Sequence, residues 1–362
     1  MRRLARYVYY AVAGGVLLLF LVGYAARYVH PRYAWWVELV AIGLPYLVFA
    51  VVLSAGVAAV LRRWRLLAVH AAVLALAALR FGVPLPAGDG AEDEPSDLHV
   101  MTFNVPRWGG SSENVKTQRL SALLRRTEPD LLALQEAFTA FVPENGALAD
   151  GTRSYVRPLT KPPLDYHAAR ALSQKHTPQP VFAQVPLYGL SQKTLRVEDE
   201  AKEDVTYVVR TGFRWRGRRA VLYNVHLRSF GSDKPWRAED PHLLDLSFWK
   251  PYLRQYRDAY HARAREVERI REMLEQETRP VLVAGDFNST PHSWAYRQLS
   301  QGMQDAFYVA GDGWGSTYHA RLPFARIDFI LASEEWKITD ARVPDADLSD
   351  HRPLLASLRW RD

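Results

Sequence analysis

The sequence contains no cysteine among its 362 residues, which excludes disulfide bonds, thiolate nucleophiles and cysteine-based zinc sites. Acidic side chains are nearly absent from the first 86 residues, which carry nine arginines, no lysine and a single acid, Glu38. The formal charge of this segment is 9 − 1 = +8, which leaves 7 − 8 = −1 for residues 87–362. Net charge therefore gives no support for a basic nucleic-acid-binding surface on the larger part of the chain.

Three apolar runs occupy the N-terminal part of the sequence, at residues 4–24, 34–61 and 66–85. Each approaches or exceeds the roughly 20 residues that span a ~30 Å hydrocarbon core. Six arginines lie before or at the start of the first run or between the second and third, against two between the first and second. Cytoplasmic loops are enriched in arginine, so this bias predicts a multi-pass anchor in the cell membrane with a cytoplasmic N-terminus.

Three crossings predict that the chain after residue 86 lies on the extracytoplasmic, periplasmic side. If the third run does not cross, the large domain is cytoplasmic. A further alternative is a cleaved signal peptide followed by buried core helices. Residues 87–97, rich in Gly, Pro and acid, predict an exposed linker.

Residues 98–362 alternate strand-like and helix-like segments and are long enough for one large domain. Strands are predicted at 98–105 and 130–138, with a helix between them. Residues 205–228 predict two strands joined at Arg216-Gly217-Arg218, and about 251–276 predict a long helix. This alternation indicates sheets packed face to face with helices outside, an α/β sandwich of several layers.

Polar residues end most of the predicted apolar strands. Left unpaired away from water, such groups would cost several kcal/mol, and a sandwich brings strand ends together at one rim. The set is rich in oxygen donors, which suit Mg²⁺ or Mn²⁺ better than structural zinc. Its members are Asn104, Glu136, His226, Asp286, Asn288, Asp328, Asp350 and His351.

Six segments carry these residues in order: TFNV, LLALQEAF, YNVHLRS, AGDFNSTP, RIDFILAS and LSDHRPL. Together they resemble the endonuclease/exonuclease/phosphatase superfamily (DNase I-like), which includes DNase I, abasic-site endonucleases, neutral sphingomyelinases and inositol polyphosphate 5-phosphatases. The resemblance covers about residues 97–360. It implies a four-layer α/β sandwich, here preceded by an all-α bundle of three transmembrane helices. The segment FAQVPLYG departs from many relatives, with Gln184 and Val185 where they carry arginine and tyrosine.

The resemblance also implies roles for the polar set. Metal binding would fall to Glu136, with Asn104 and Asp350 completing the surroundings. Catalysis would fall to five residues, of which Asp286 would orient or deprotonate the attacking water and Asp328 would hold one histidine. The substrate phosphate would be contacted by three of these: Asn288, His226 and His351.

The expected protein is a membrane-anchored, Mg²⁺-dependent or Mn²⁺-dependent hydrolase that cleaves phosphodiester bonds with an activated water. The implied partners are a lipid bilayer, held through the three N-terminal helices, and a phosphate ester, either nucleic acid or phospholipid. No partner protein is evident from the sequence. The alternative is a non-catalytic, membrane-anchored binding module that retains the fold.

Overall fold

The structure is a computed structural model that describes most of the chain. The described residues are 2–81, 97–105, 113–137, 139–140, 159, 163–168, 176–177, 179–196, 205–231, 233–235, 238–242, 244–320 and 325–361. The sequence of residues 142–180 lacks clean periodicity and predicts loops near the site, and most of this region lies outside the described residues. So does the predicted linker, apart from Asp97. Asp97 is buried and accepts a hydrogen bond from Thr339, so this residue belongs to the folded domain rather than to an exposed linker.

The chain forms two compact units. The first comprises Met1–Gly88, Phe230–Ala264 and Ser289–Arg297, and the second comprises Asp89–Ser229, Arg265–Asn288 and Gln298–Asp362. The predicted division into an anchor at 1–86 and a catalytic domain at 98–362 stays a prediction.

The N-terminal part of the first unit is helical. Its helices are α1 (Arg2–Ala25), a 3₁₀ turn (Ala26–Tyr28), α2 (Pro31–Ala34), α3 (Val37–Ile42), α4 (Leu44–Val60) and α5 (Trp64–Phe81). Apolar side chains of α1, α4 and α5 pack together around Phe20, Leu44, Val51 and Val73.

The predicted second span, residues 34–61, does not form one helix. Gly43 ends α3, and Pro45 stands in the first turn of α4, where its missing N–H costs nothing. By length and composition, two helical stretches among the described residues can cross a membrane, Arg6–Tyr28 and Trp64–Phe81. The apolar helix α4 is shorter than either, so the three-span bundle is reduced to two candidate spans.

Two six-stranded sheets form the core of the second unit. The first has the order β13-β14-β1-β2-β6-β4 and the second β11-β12-β10-β9-β8-β7, while β3 and β5 pair separately. The strands are β1 (Leu98–Asn104), β2 (Leu131–Gln135), β3 (Thr139–Ala140), β4 (His167–Ala168), β5 (His176–Thr177), β6 (Val181–Ala183), β7 (Leu187–Arg196), β8 (Val205–Trp215), β9 (Arg218–His226), β10 (Val281–Asp286), β11 (Gln304–Asp305), β12 (Asp328–Ala332), β13 (Trp336–Arg342) and β14 (Leu354–Trp360).

The remaining helices are α6 (Glu113–Thr127), α7 (Leu246–Glu275), α8 (Trp294–Leu299) and α9 (Ala306–Ala310). The predicted long helix starts five residues earlier than expected. Its first turn is capped by Asp245, whose carboxylate accepts the backbone N–H of Ser247 at 2.8 Å.

Alternation along the strands explains the layers. One face of each sheet contributes apolar side chains to a shared core that includes Val100, Leu222, Leu282 and Ile330. The other face of the first sheet packs against the leucines of α6, in a second cluster that includes Phe103. The fold is therefore a mixed α/β sandwich of two sheets, as the sequence predicts.

Candidate active site

Strand register brings the polar strand ends together. Parallel pairing of β1 with β2 sets Asn104 opposite Gln135, one residue before Glu136. In the second sheet, parallel pairing of β9 with β10 sets His226 opposite Asp286, and antiparallel pairing of β10 with β12 sets Asp286 opposite Asp328. One end of each sheet thus carries titratable side chains that the sequence spreads over more than 200 positions.

Asp286 is the centre of this group. It is 1% exposed, and its Oδ2 accepts a hydrogen bond from Nδ2 of Asn104 at 2.9 Å, which links the two sheets. Nδ2 of Asn104 also lies 3.4 Å from Oε1 of Glu136. His226 Nε2 lies 3.7 Å from Asp286 Oδ2 and 3.9 Å from Glu136 Oε1, which are ion-pair rather than hydrogen-bond distances.

Asn288 is fixed beside Asp286. Its backbone N–H donates to Oδ1 of Asp286 at 2.7 Å, and its side-chain amide donates to the carbonyl of Leu227 at 2.9 Å. Asn288 has φ +46° and Glu136 has φ +55°. Both values lie in the left-handed region of the backbone, which residues other than glycine seldom adopt. Two such residues at one site indicate that the fold holds these side chains in place against a local backbone cost.

Asp328 and His351 form a buried pair, with His351 Nδ1 2.9 Å from Asp328 Oδ2. Burial disfavours the imidazolium, but the carboxylates of Asp328 and Asp286 outweigh it and raise the pKa of His351 to about 10. The ring nitrogen Nε2 lies 3.8 Å from Asp286 Oδ2. The hydrogen bond to Asp328 and the nearby carboxylate of Asp286 therefore favour the imidazolium form of His351.

Two sets of side chains are candidates to hold a metal ion. Among the described residues, the ligand atoms of Asp286, Asp328 and His351 lie within 4.8 Å of one another. A protonated imidazole has no free lone pair, however, so His351 is a poor ligand in this arrangement. Glu136 and Asn104 fit better, because both offer oxygen atoms and the side chain of Glu136 is 40% exposed to solvent.

None of the described contacts joins the side chain of Asp350 to Glu136 or Asn104. The residue is exposed, and its Oδ1 lies 3.4 Å from the hydroxyl of Ser349. Its predicted role as a metal ligand stays a prediction.

The sequence model of the Endonuclease/Exonuclease/phosphatase family matches residues 101–351, a stretch that contains every member of the polar set. The chain belongs to this family. A search of curated proteins finds no match.

Solved structures of endonuclease/exonuclease/phosphatase proteins share the fold. One from Leptotrichia buccalis is 18% identical with a TM-score of 0.51, and the match covers 73% of this chain and 100% of that one. One from Bacteroides thetaiotaomicron is 15% identical with a TM-score of 0.53, covering 74% and 100%. A functionally unknown conserved protein from Enterococcus faecalis is 17% identical with a TM-score of 0.53, covering 73% and 100%.

A buried polar network beneath the candidate site was not predicted from the sequence. Gln135 Nε2 donates to Asn224 Oδ1 at 2.7 Å, and Asn224 Nδ2 donates to the carbonyl of Leu134 at 2.9 Å, so the network joins the two sheets. Thr102 on β1 bonds Gln135 as well. The sequence signal for this network is a polar residue inside each of two apolar runs. Gln135 lies one position before Glu136, and Asn224 lies two positions before His226.

Thr317 also supports the site without belonging to the polar set. Its hydroxyl accepts the backbone N–H groups of Ile327 and Asp328 at 3.1 and 3.2 Å, which fixes the start of β12. The next residue, Tyr318, places its ring 5.0 Å from that of His351. Thr317 and Tyr318 therefore support the buried acid–histidine pair from a segment that carries none of the six motifs.

Proposed function

We propose that this family member is a membrane-attached, divalent-metal-dependent phosphoesterase that hydrolyses phosphodiester bonds. The observation that carries the proposal is the environment of Asp286. This buried carboxylate accepts hydrogen bonds from Asn104 and Asn288, and it lies within 4 Å of a ring nitrogen of both His226 and His351. A fold needs no such concentration of titratable groups, and burying them without partners would destabilise it.

The chain's own residues divide the reaction as follows. Asp286 orients the attacking water and takes its proton while the water oxygen bonds to phosphorus. His226 gives a proton to the leaving oxygen as the P–O bond breaks. The imidazolium of His351, fixed by Asp328, stabilises the negative charge that develops on the phosphoryl oxygens.

Glu136 and Asn104 are the residues that would hold the metal, with Asp350 as the predicted third ligand. A bound Mg²⁺ or Mn²⁺ would supply charge neutralisation at the phosphate. Identification of the metal as Mg²⁺ rests on the oxygen-rich donor set, since hard cations of this kind prefer carboxylate and amide oxygen.

Attachment to a membrane is proposed from α1, α4 and α5. Tyr9 on α1 donates to the carbonyl of Ser54 on α4 at 2.8 Å, and the guanidinium of Arg63 lies 5.9 Å from the ring of Tyr10. The arginines in the first turns of α1 and those around the junction of α4 and α5 thus belong to one end of the helical bundle, which favours that end as cytoplasmic.

The topology can be tested with reporter fusions. If the shorter helix α4 crosses together with the two candidate spans, a reporter after residue 90 should behave as extracytoplasmic, and one after Arg63 as cytoplasmic. Cytoplasmic behaviour at both positions would reject this orientation.

Nucleic acid and lipid head groups are the two substrate classes we propose. The formal charge of −1 after residue 86 argues against strong long-range attraction of a polyanion, and nonspecific DNA affinity depends mainly on phosphate neutralisation. Membrane attachment would hold the site near lipid phosphodiesters.

A direct test uses the full chain in lipid nanodiscs with Mg²⁺ and a panel of bis(p-nitrophenyl) phosphate, DNA, RNA and phospholipids. Asp286→Asn should abolish hydrolysis, whereas Asp345→Asn, at a side chain that is 91% exposed, should leave it unchanged. Binding of a phosphodiester without hydrolysis would favour the non-catalytic module instead. Full activity of Asp286→Asn would show that the central carboxylate has no part in the reaction.

A further inference from the structure

The first turns of α7 expose apolar side chains to solvent. Leu246 is 77% exposed and Leu253 is 38% exposed, while Leu244, just before the helix, is fully exposed. Phe248 and Trp249 lie between them, with their rings 5.5 Å apart. Single exposed leucines are ordinary on protein surfaces, but a contiguous group of this size at the start of one helix indicates a contact surface.

Helical spacing places these residues on one side of α7. At about 100° per residue, Leu246, Trp249, Leu253, Phe248, Tyr252 and Tyr256 occupy roughly half of the circumference. We call this group the apolar face of α7. Its C-terminal end along the helix is already packed, because Tyr256 places its ring 4.8 Å from that of Phe230.

Cations border the exposed edge of the apolar face. Lys250, Arg254 and Arg257 are all exposed and follow Leu246 around the helix within about 80°. Arg257 is paired with Asp258, whose Oδ1 lies 2.9 Å from its Nη2. The helix is therefore amphipathic with basic residues beside aromatic and aliphatic ones, a composition typical of helices that lie in the plane of a membrane surface.

The apolar face belongs to the same compact unit as both candidate membrane spans. Within that unit, Arg263 on α7 donates to the hydroxyl of Ser289 at 3.1 Å, and the backbone N–H of Trp294 donates to the carboxylate of Glu38 at 2.8 Å. His30, just before α2, places its ring 4.5 Å from that of Trp294. These contacts connect α7 to the segment that follows the first candidate span.

We propose that the apolar face of α7 binds the lipid–water interface of the bilayer. Leu246, Trp249 and Leu253 enter the head-group boundary while Lys250 and Arg254 contact anionic head groups. The inference rests on the proposed membrane attachment and extends it, because it assigns a second lipid contact in the segment between His226 and Asp286. A bilayer fits better than a second copy of the chain, since the face combines aromatic rings with long basic side chains that reach from an apolar layer to phosphate.

The absence of cysteine makes a clean site-directed test available. Single variants Leu246→Cys, Leu253→Cys and Ser247→Cys are labelled in the full chain with an environment-sensitive fluorophore and reconstituted into vesicles of phosphatidylcholine with phosphatidylglycerol. Ser247 is the matched control, because it lies next to Leu246 along the axis but opposite the centre of the apolar face. Leu18→Cys, on an exposed position of α1, reports whether the anchor itself is in lipid.

Labels at 246 and 253 should emit at shorter wavelength than the label at 247 and should be quenched by lipid-borne quenchers. Replacing phosphatidylglycerol with phosphatidylcholine, or introducing Lys250→Gln with Arg254→Gln, should reduce both effects. If the label at position 18 is in lipid while the labels at 246, 253 and 247 all emit as they do in water, the α7 proposal is wrong and membrane attachment stands. A Leu18 label in water would overturn the attachment and the α7 proposal together.

Shielding of 246 and 253 without lipid quenching would indicate a protein contact, such as a second copy, and would also overturn the proposal. Increasing the lipid-to-protein ratio separates these cases, since shielding by a second copy falls on dilution whereas contact with the bilayer does not.

Discussion

Gly285→Ala should disable the site by separating two strands. Gly285 has φ +153°, and a Cβ built there would lie 1.8 Å from the carbonyl oxygen of Val225 on the neighbouring strand β9. Carbon–oxygen contacts of this kind are comfortable at about 3.3 Å, so the strands would have to separate by about 1.5 Å. Backbone hydrogen bonds of about 2.9 Å do not survive that displacement.

The magnitude follows from the groups that lose partners. Each buried backbone N–H or carbonyl left unsatisfied costs about 1 to 3 kcal/mol, so the loss of two or more gives a destabilisation of roughly 4 kcal/mol. Asp286 is the next residue, and displacing a reacting group by about 1 Å costs on the order of 100-fold in rate. We therefore expect a large fall in melting temperature and at least about a 100-fold loss of hydrolysis in the folded fraction.

Gly217→Ala and Gly302→Ala are matched controls. These glycines have φ +79° and +70°, but a Cβ at either position meets no atom within 4 Å. They isolate the backbone strain of a left-handed alanine, about 1 to 2 kcal/mol. Thermal unfolding by circular dichroism and initial rates on bis(p-nitrophenyl) phosphate measure both effects. The reasoning fails if Gly285→Ala matches the controls in stability and keeps wild-type activity.

Three further predictions concern the site. Glu136→Gln should weaken metal binding and be partly rescued by high Mg²⁺ or Mn²⁺ in a metal titration, because an amide oxygen still coordinates weakly. Asp286→Asn should lose about 10²-fold to 10⁴-fold in turnover at every metal concentration, and its rescue by metal alone would show that its assigned role is wrong. Asn224→Ala should cost about 1 to 3 kcal/mol by removing the buried hydrogen bonds from Gln135 Nε2 to Asn224 Oδ1 and from Asn224 Nδ2 to the carbonyl of Leu134; a double-mutant cycle with Gln135→Ala should show coupling, and additive effects would contradict the network.

The sequence was most informative about the strands that end in polar residues. The hairpin at residues 205–228 was predicted because the turn residues Arg216 and Gly217 separate two apolar runs, and both adopt positive φ in the structure. The site residues were predicted because a polar side chain at the end of a buried strand needs a partner, and parallel register supplies one at the same end of the sheet.

The breaks in the second apolar run were harder to predict. Hydropathy averages over a window and favours one long helix, whereas Gly43 and Pro45 act locally to end one helix and begin another. The contact between Glu38 and Trp294 joins positions 256 residues apart, and nothing in the local sequence of either indicates it. Contacts of that kind depend on the packing of the whole unit.

Residue type alone does not distinguish the two sets of metal-binding candidates, whereas the partners and exposure of each carboxylate do. Asp286, Asp328 and His351 have the residue types of a metal site, and their ligand atoms are close enough for one. Yet the hydrogen bond between His351 and Asp328, together with the raised pKa of His351, favours a charge-balanced pair beside the second carboxylate, Asp286. The Glu136 side chain is 40% exposed, against 1% for Asp286, so it is the carboxylate more open to a metal ion that keeps part of its water shell. The proposed division between a metal-binding side at Glu136 and an imidazolium side at His351 therefore follows from the exposure of Glu136 and from the hydrogen bond between His351 and Asp328.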